Sequence, residues 1–180
     1  MTSRRALLKQ REMHWTISRL SHEILEKNRG IDNLAIVGIR TRGAHLAKRV
    51  VREMEKIEGH QVPLGIVDIT LYRDDLQAIG PQPVIRGTDI PFDVEEKVIV
   101  LVDDVLYTGR TVRAAIDEII DFGRPRRIWL AVLVDRGHRE LPIAADFVGE
   151  TVPTAENEKV DVLVEEEDGE DAVYIQEMKP

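Results

Sequence analysis

Along this chain the apolar positions switch repeatedly between helical spacing and short unbroken runs. Met13, Ile17, Leu20 and Ile24 recur at helical spacing, Leu25 widens the stripe, and Asn28-Arg29-Gly30 supplies a stop, so an amphipathic helix is predicted. Leu34 to Ile39 (LAIVGI) is a continuous apolar run of the kind buried on both faces of a sheet, and it opens into the polar Arg40-Thr41-Arg42-Gly43. Ala44, Leu46, Ala47, Val50, Val51, Met54 and Ile57 then mark a second helix ended by Gly59, and Val62 to Tyr72 reads as another strand. Lys97 to Val102 is the most strand-like run, Thr111 to Phe122 is helical with Gly123 as its cap, and Arg127 to Val134 is a further buried strand.

This alternation predicts an α/β fold with a central parallel sheet flanked by helices, whose ligands sit beyond the carboxyl ends of the strands. Two stretches break the rhythm. Residues 73–91 hold Gly80, Pro81, Pro83, Gly87 and Pro91 with little periodicity, which predicts a long, flexible lid loop. Residues 135–153, with the later runs Val160 to Val164 and Ala172 to Ile175, suggest a small cap of loop and antiparallel strand. The acidic Glu165-Glu166-Glu167-Asp168 reads as a solvated hairpin tip.

The 180 residues are enough for one domain, taken as 1–180, and 43% hydrophobic against 32% charged residues excludes a disordered chain. Cysteine is absent, which excludes disulfides, thiolate zinc sites and thiol nucleophiles. Arg4, Arg5, Lys9, Arg11, Glu12 and Arg19 interrupt the first twenty residues, leaving no apolar core resembling a signal peptide, so a soluble, cytoplasmic protein is expected. A net charge of −8 argues against indiscriminate nucleic-acid binding. That average conceals a division, because residues 1–60 carry +6 and residues 61–180 carry −14, so a basic face can coexist with an acidic remainder.

The chemistry concentrates where Val98-Ile99-Val100-Leu101-Val102 meets Asp103-Asp104, followed by Val105-Leu106-Tyr107-Thr108-Gly109-Arg110-Thr111 and a helix. Gly109 lets the backbone turn closely around an anion, the Thr108 and Thr111 hydroxyls can donate to phosphate oxygens, and the helix start adds free N–H groups. Two adjacent carboxylates would repel that phosphate, so they need another partner, and vicinal ribose hydroxyls about one sugar away are suitable. A ribose 5-phosphate satisfies both halves. The Walker-type GxxxxGK[ST] and the dinucleotide GxGxxG patterns are absent.

This segment resembles the signature of type I phosphoribosyltransferases, which bind 5-phosphoribosyl diphosphate (PRPP). The resemblance implies that fold, with a small hood at 135–153 and the lid at 73–91. It assigns Asp103 and Asp104 to the ribose hydroxyls and Thr108, Gly109, Arg110 and Thr111 to the 5-phosphate, with Val105, Leu106 and Tyr107 also in the PRPP-binding segment. Arg40, Thr41 and Arg42 resemble the diphosphate loop, with Arg40 joining Asp103 and Asp104 as catalytic candidates. Asp68 to Asp75 (DITLYRDD) leads into the lid and adds Arg73 as a fourth. Asp135, Phe147 and Val148 fall where the family reads its base. Mg²⁺ is expected with PRPP, and Asp103 is expected to touch it through water.

Several segments together, GIRTRG, DITLYRDDL, LVDDVLYTGRT and VDRGHRELP, resemble the family of bacterial pyrimidine-operon regulators that double as uracil phosphoribosyltransferases. That resemblance runs from about Ser18 to Pro153. It implies UMP synthesis from uracil and PRPP, and binding of pyr operon mRNA when a uridine nucleotide such as UMP or UTP fills the site. It maps RNA contacts onto Ser18, Arg19, His22, Lys27 and His138, and implies a homodimer or larger homo-oligomer. Glu150 stands where close relatives carry a basic residue, and Ser18 replaces a threonine. The competing reading is a salvage enzyme for a hypoxanthine-type purine with no RNA role. Tyr107 and Asp135 argue against it, because purine enzymes place an acid and a base there, respectively.

Overall fold

The unbroken apolar runs form the middle of the molecule in the computed structural model, which describes residues 4–70 and 87–178. In chain order the elements are β1 (Arg4–Lys9), α1 (Gln10–Asn28), β2 (Leu34–Ile39), α2 (Arg42–Glu58), β3 (Leu64–Val67), β4 (Val98–Leu106), α3 (Arg110–Ile120), β5 (Arg127–Asp135), β6 (Phe147–Thr151), β7 (Glu158–Leu163), α4 (Glu165–Asp168) and β8 (Ala172–Glu177). Arg73 and most of the expected lid fall among residues 71–86, outside the described residues.

Five strands form a parallel sheet in the order β3-β2-β4-β5-β6. Successive residues of β2 and β4 point to opposite faces, and both faces are covered, which is why neither strand shows polar alternation. Leu34, Ile36, Val98, Val100 and Val102 join Met13, Ile17, Leu20, Ile24, Leu46, Val50 and Met54 of α1 and α2 in one cluster. Ala35, Val37, Ile39, Ile99 and Leu101 join Val112, Ala115 and Ile119 of α3 in a second. Gly38 permits this packing on the α2 side, since a Cβ there would stand 2.6 Å from the Ala44 Cα.

Helix ends follow local chemistry. The Glu12 carboxylate accepts a hydrogen bond of 2.8 Å from the Lys9 backbone N–H and fixes the start of α1. Its end uses Arg29 in the left-handed region, φ 57°, with the Gly30 N–H donating to the Leu25 carbonyl at 3.0 Å. Gly59 closes α2 in the same way at φ 71°.

Three features differ from the sequence reading. β3 is only four residues long, and beyond it Asp89 returns to make an antiparallel bridge with Ile66, so the end of the expected lid is tied to the sheet. The stretch 135–153 divides into a loop and β6, and β6 pairs parallel to β5 as the fifth strand of the main sheet rather than as antiparallel cap. β1, which no apolar pattern announces, pairs antiparallel with β8, and β8 with β7, giving a separate three-stranded sheet. Leu8, Val162, Val164 and Val173 seat that sheet on the same core as α1 and α2. Among the described residues no helix is long and apolar enough to cross a membrane.

Candidate functional site

Chain direction locates the site. From β2 the chain passes through α2 to β3 on one side, and from β4 through α3 to β5 on the other, so β2 and β4 are neighbours whose connections diverge. The crevice at their carboxyl ends is the topological switch point, where open α/β sheets bind ligands. Both segments singled out by sequence, 40–43 and 103–111, leave the sheet there.

Their closeness rests on Gly43. In the first turn of α2, a Cβ at Gly43 would lie 2.7 Å from the Val102 carbonyl oxygen and 3.1 Å from both the Asp103 Cα and Asp103 Oδ1. Only a residue without a side chain lets the helix start press against the acidic pair. Asp103 is buried, 6% exposed, whereas Asp104 is half-buried. Both carboxylates accept backbone hydrogen bonds, Asp103 from the Asp104 N–H at 2.9 Å and Asp104 from the Val105 N–H at 2.8 Å. β4 extends through both residues to Leu106, so the pair is held by sheet pairing rather than by a loop.

Beyond β4, Gly109 takes φ 93° at the start of α3, with its α-carbon side against Ile143. The Thr108 hydroxyl accepts from the Arg110 N–H at 3.3 Å, and the Thr108 carbonyl accepts from the Glu140 and Leu141 N–H groups at 2.9 and 3.2 Å. The turn at 108–109 is therefore braced by the loop after β5. Arg110 pairs with Glu140 at 2.7 Å across the same gap.

Arg40 anchors the first loop through its backbone N–H, which donates to the Val67 carbonyl at 2.9 Å, and the Arg40-Thr41 peptide is cis. Its Nε is buried and, among the described residues, has no hydrogen-bond partner. Arg42, by contrast, makes a two-pronged contact with Asp168, at 3.1 and 2.7 Å. That hydrogen bond, together with the charges of Asp168 and Asp104, holds the Arg42 pKa above the ordinary arginine value. Asp168 is held below the usual carboxylate range by the same Arg42 contact.

The acidic tip joins β7 to β8 and is solvent-exposed, as expected, but its carboxylates are engaged. It forms the short helix α4, and its carboxylates reach α2: His45 meets Glu167 at 2.7 Å, and Arg49 binds Glu166 as well as Asp171, the latter at 2.9 and 2.7 Å. Sequence reasoning missed this clasp because the partners lie more than a hundred residues apart. The run of four acids near the chain's end was the available signal, legible only beside a helix offering Arg42, His45 and Arg49 at one-turn spacing.

The base-reading candidates separate. Phe147 is buried, its ring edge-on to Trp129 and under the Lys27 ammonium at 5.2 Å, in the cluster beneath α1. The ring is therefore part of the core rather than of an open surface. Val148 points to the α3 side, beside Ile143 and Ala145. Asp135 accepts from Arg139 at 2.6 Å and from the Gly137 N–H at 3.0 Å, and Arg139 also donates to the carbonyls of Tyr107 and Ile143. The buried Arg136 lies over the Tyr107 ring, 4.0 Å from its centroid, so two arginines that carried no assignment hold the end of β4 to this loop.

Ser18, Arg19 and His22 share the outer face of α1. The exposed Arg19 guanidinium is directed by carbonyls of β6, donating to Gly149 at 2.6 Å and Val148 at 3.4 Å, and pairs with Glu23 at 2.8 Å. Lys27 pairs with Asp146 at 3.3 Å and covers the Trp129 ring. His138 belongs to the loop after β5, edge-on to Tyr107, and its Nε2 donates to the Thr154 carbonyl at 2.6 Å.

An open α/β sheet with an acidic pair and a glycine turn into a helix at its switch point has the layout of the phosphoribosyltransferase class of protein. The family model for the phosphoribosyl transferase domain matches residues 3–166. A Bifunctional protein PyrR of Thermus aquaticus is 62% identical over 171 residues, covering 95% of this chain and 94% of that protein. The Bifunctional protein PyrR of Clostridioides difficile is 55% identical over 177 residues, covering 98% and 100%. Among solved structures, a hypoxanthine phosphoribosyltransferase from Staphylococcus aureus superposes with a TM-score of 0.68 at 20% identity, covering 98% of this chain and 93% of that one, which shows the shared type I fold. The chain belongs to the phosphoribosyl transferase family and, within it, to the Bifunctional protein PyrR group.

Proposed function

We propose that this protein transfers the 5-phosphoribosyl group of PRPP to uracil, giving UMP and diphosphate. With a uridine nucleotide in the site, it binds pyr operon mRNA. The observation that carries the reading is the close approach of Gly43 to Val102 and Asp103, which brings the 40–43 loop against the strand end that carries the acidic pair. The N–H groups opening α3, with Thr108 and Thr111, hold the 5-phosphate. Asp103 and Asp104 hold the ribose diol. Arg40, Thr41 and Arg42 meet the diphosphate, and the buried Arg40 Nε is a donor suited to one of its oxygens.

In the reaction the anomeric carbon loses its bond to diphosphate oxygen and gains one to a uracil nitrogen, which releases its proton. Positive charge develops on the sugar as the leaving group departs, so catalysis rests on positioning and on fixed charges. Among the described residues no group of three His, Cys, Asp or Glu side chains could cage a metal. That fits Mg²⁺ carried in with PRPP, which takes substrate oxygens and water with few protein carboxylates. Asp103 would hold it through water, and the ion would neutralise charge on the departing diphosphate. Residues 73–91, with Arg73, would serve as the lid, and residues 135–153 as the hood over the base.

The relatives at 55 to 62% identity favour the uracil reading over purine salvage, since the hypoxanthine enzymes share the fold at only 15 to 20% identity. A cytoplasmic protein acting as a homodimer or larger assembly completes the proposal. Incubation with PRPP, Mg²⁺ and either uracil or hypoxanthine tests it: UMP is expected from uracil, and turnover of hypoxanthine alone would overturn the substrate. For the regulatory half, Arg19→Ala should weaken binding to the leader RNA while UMP synthesis is retained.

A further inference from the structure

α1 turns its apolar stripe inward through Met13, Ile17, Leu20 and Ile24, all buried, yet it carries Trp15 outward with 57% of its surface exposed. Nothing in the packing of the helix requires an indole there. The Arg11 guanidinium lies 5.1 Å from the ring centroid, which holds one face of the indole under a cation. At helical spacing Arg11, Trp15, Ser18 and His22 fall on one narrow face, with His14 and Arg19 on its flanks. Arg11 and His14 also form the α1 wall of a cavity of about 580 Å³ that reaches Arg52 on α2. Four acids also line it: Glu166 and Asp171, both held by Arg49, Glu53, paired with Lys56, and Glu165.

We propose that Trp15 is a stacking platform for an unpaired base of the RNA, with Arg11, His14 and Arg52 receiving the flanking phosphates. The inference rests on the RNA-binding reading above and adds the kind of nucleotide the helix selects, a single-stranded one. Bases stack on exposed aromatic rings without regard to sequence, and cations beside the ring attract the backbone. Its neighbours supply the matching charge: the face is basic within a chain whose net charge is −8. Ring and cation are already stacked, so little ordering is needed when a base arrives.

The chain holds two tryptophans, and the second, Trp129, sits edge-on to Phe147. In a Trp129→Phe background the emission therefore reports Trp15 alone. With UMP present, addition of the pyr leader stem-loop RNA is expected to quench that emission. Trp15→Ala should bind this RNA on the order of tenfold more weakly, the scale of one lost base stack, Trp15→Phe should recover most of the loss, and UMP synthesis should stay at the wild-type rate. RNA binding by Trp15→Ala equal to wild type, with no quenching, overturns the stacking role and leaves the RNA-binding reading standing. Failure of the wild-type protein to bind the RNA overturns both. A Trp15→Ala protein that sediments as a smaller species would make Trp15 a contact between copies and also overturn the proposal.

Discussion

Replacing Gly43 with alanine puts a methyl carbon 2.7 Å from the Val102 carbonyl oxygen, inside the 3.4 Å at which ordinary contact begins. Something must retreat by roughly 0.7 Å, the difference between those distances. Val102 sits in the middle of the sheet, paired with Gly38 on one side and Ala131 on the other, so the strand is the harder element to move. The first turn of α2 gives way instead, and carries the 40–42 loop away from Asp103 and Asp104. Overpacking of this kind costs about 1–3 kcal/mol, and alanine returns about 1 kcal/mol through its better helix propensity. The net change is small, equivalent to a few degrees of Tm for a chain of this size. Catalysis is far more sensitive, because a displacement approaching 1 Å between reacting groups can cost on the order of a hundredfold. The expected signature is kcat/KM for PRPP reduced by about one to two orders of magnitude in a protein whose Tm barely changes. Steady-state kinetics and calorimetry on Gly43→Ala, beside Lys48→Ala on the exposed side of α2 as a control, provide the measurement. Wild-type kcat/KM in Gly43→Ala would refute the reasoning.

Two further outcomes are expected. Asp104→Asn should weaken PRPP binding by about 1.5–3 kcal/mol, the loss of a charge-assisted hydrogen bond, read by titration calorimetry, and unchanged affinity would remove Asp104 from the ribose. Contact with Arg49 holds the Glu166 carboxyl below the usual range, as Arg42 holds Asp168, so the clasp stabilises the fold fully above the unfolded carboxylate values near pH 4 and loses that contribution as pH falls through the lower folded values. Arg49→Met should therefore lower Tm at neutral pH and flatten its fall below about pH 4; melting curves that run parallel for the two proteins would argue that the clasp contributes nothing.

What the chain discloses by itself depends on how local the cause is. LAIVGI and RIWLAVLV are buried on both faces by elements that any parallel sheet must supply, and they read as strands almost to the residue. The turn after the acidic pair and the helix it opens were equally legible, because their cause lies within nine consecutive residues. β1 was not, since RRALLK buries only Leu8 and its other contacts come from β8, including Arg4 stacked over the Tyr174 ring at 3.6 Å. The burial of Phe147 was hidden for a related reason: β6 is too short to show which face is which, and only the placement of α1 puts that ring in the core. Asp168 looked solvated when read alone, and only the fold pairs it with Arg42.

The central claim is that the turn after Asp104 closes on a sugar phosphate whose diol the two carboxylates hold. Crystals grown with UMP test it most directly. The phosphate should accept from the backbone N–H groups between Thr108 and Thr111, with the ribose hydroxyls on Asp103 and Asp104. Density for UMP at any other place, with this turn empty, would contradict the account.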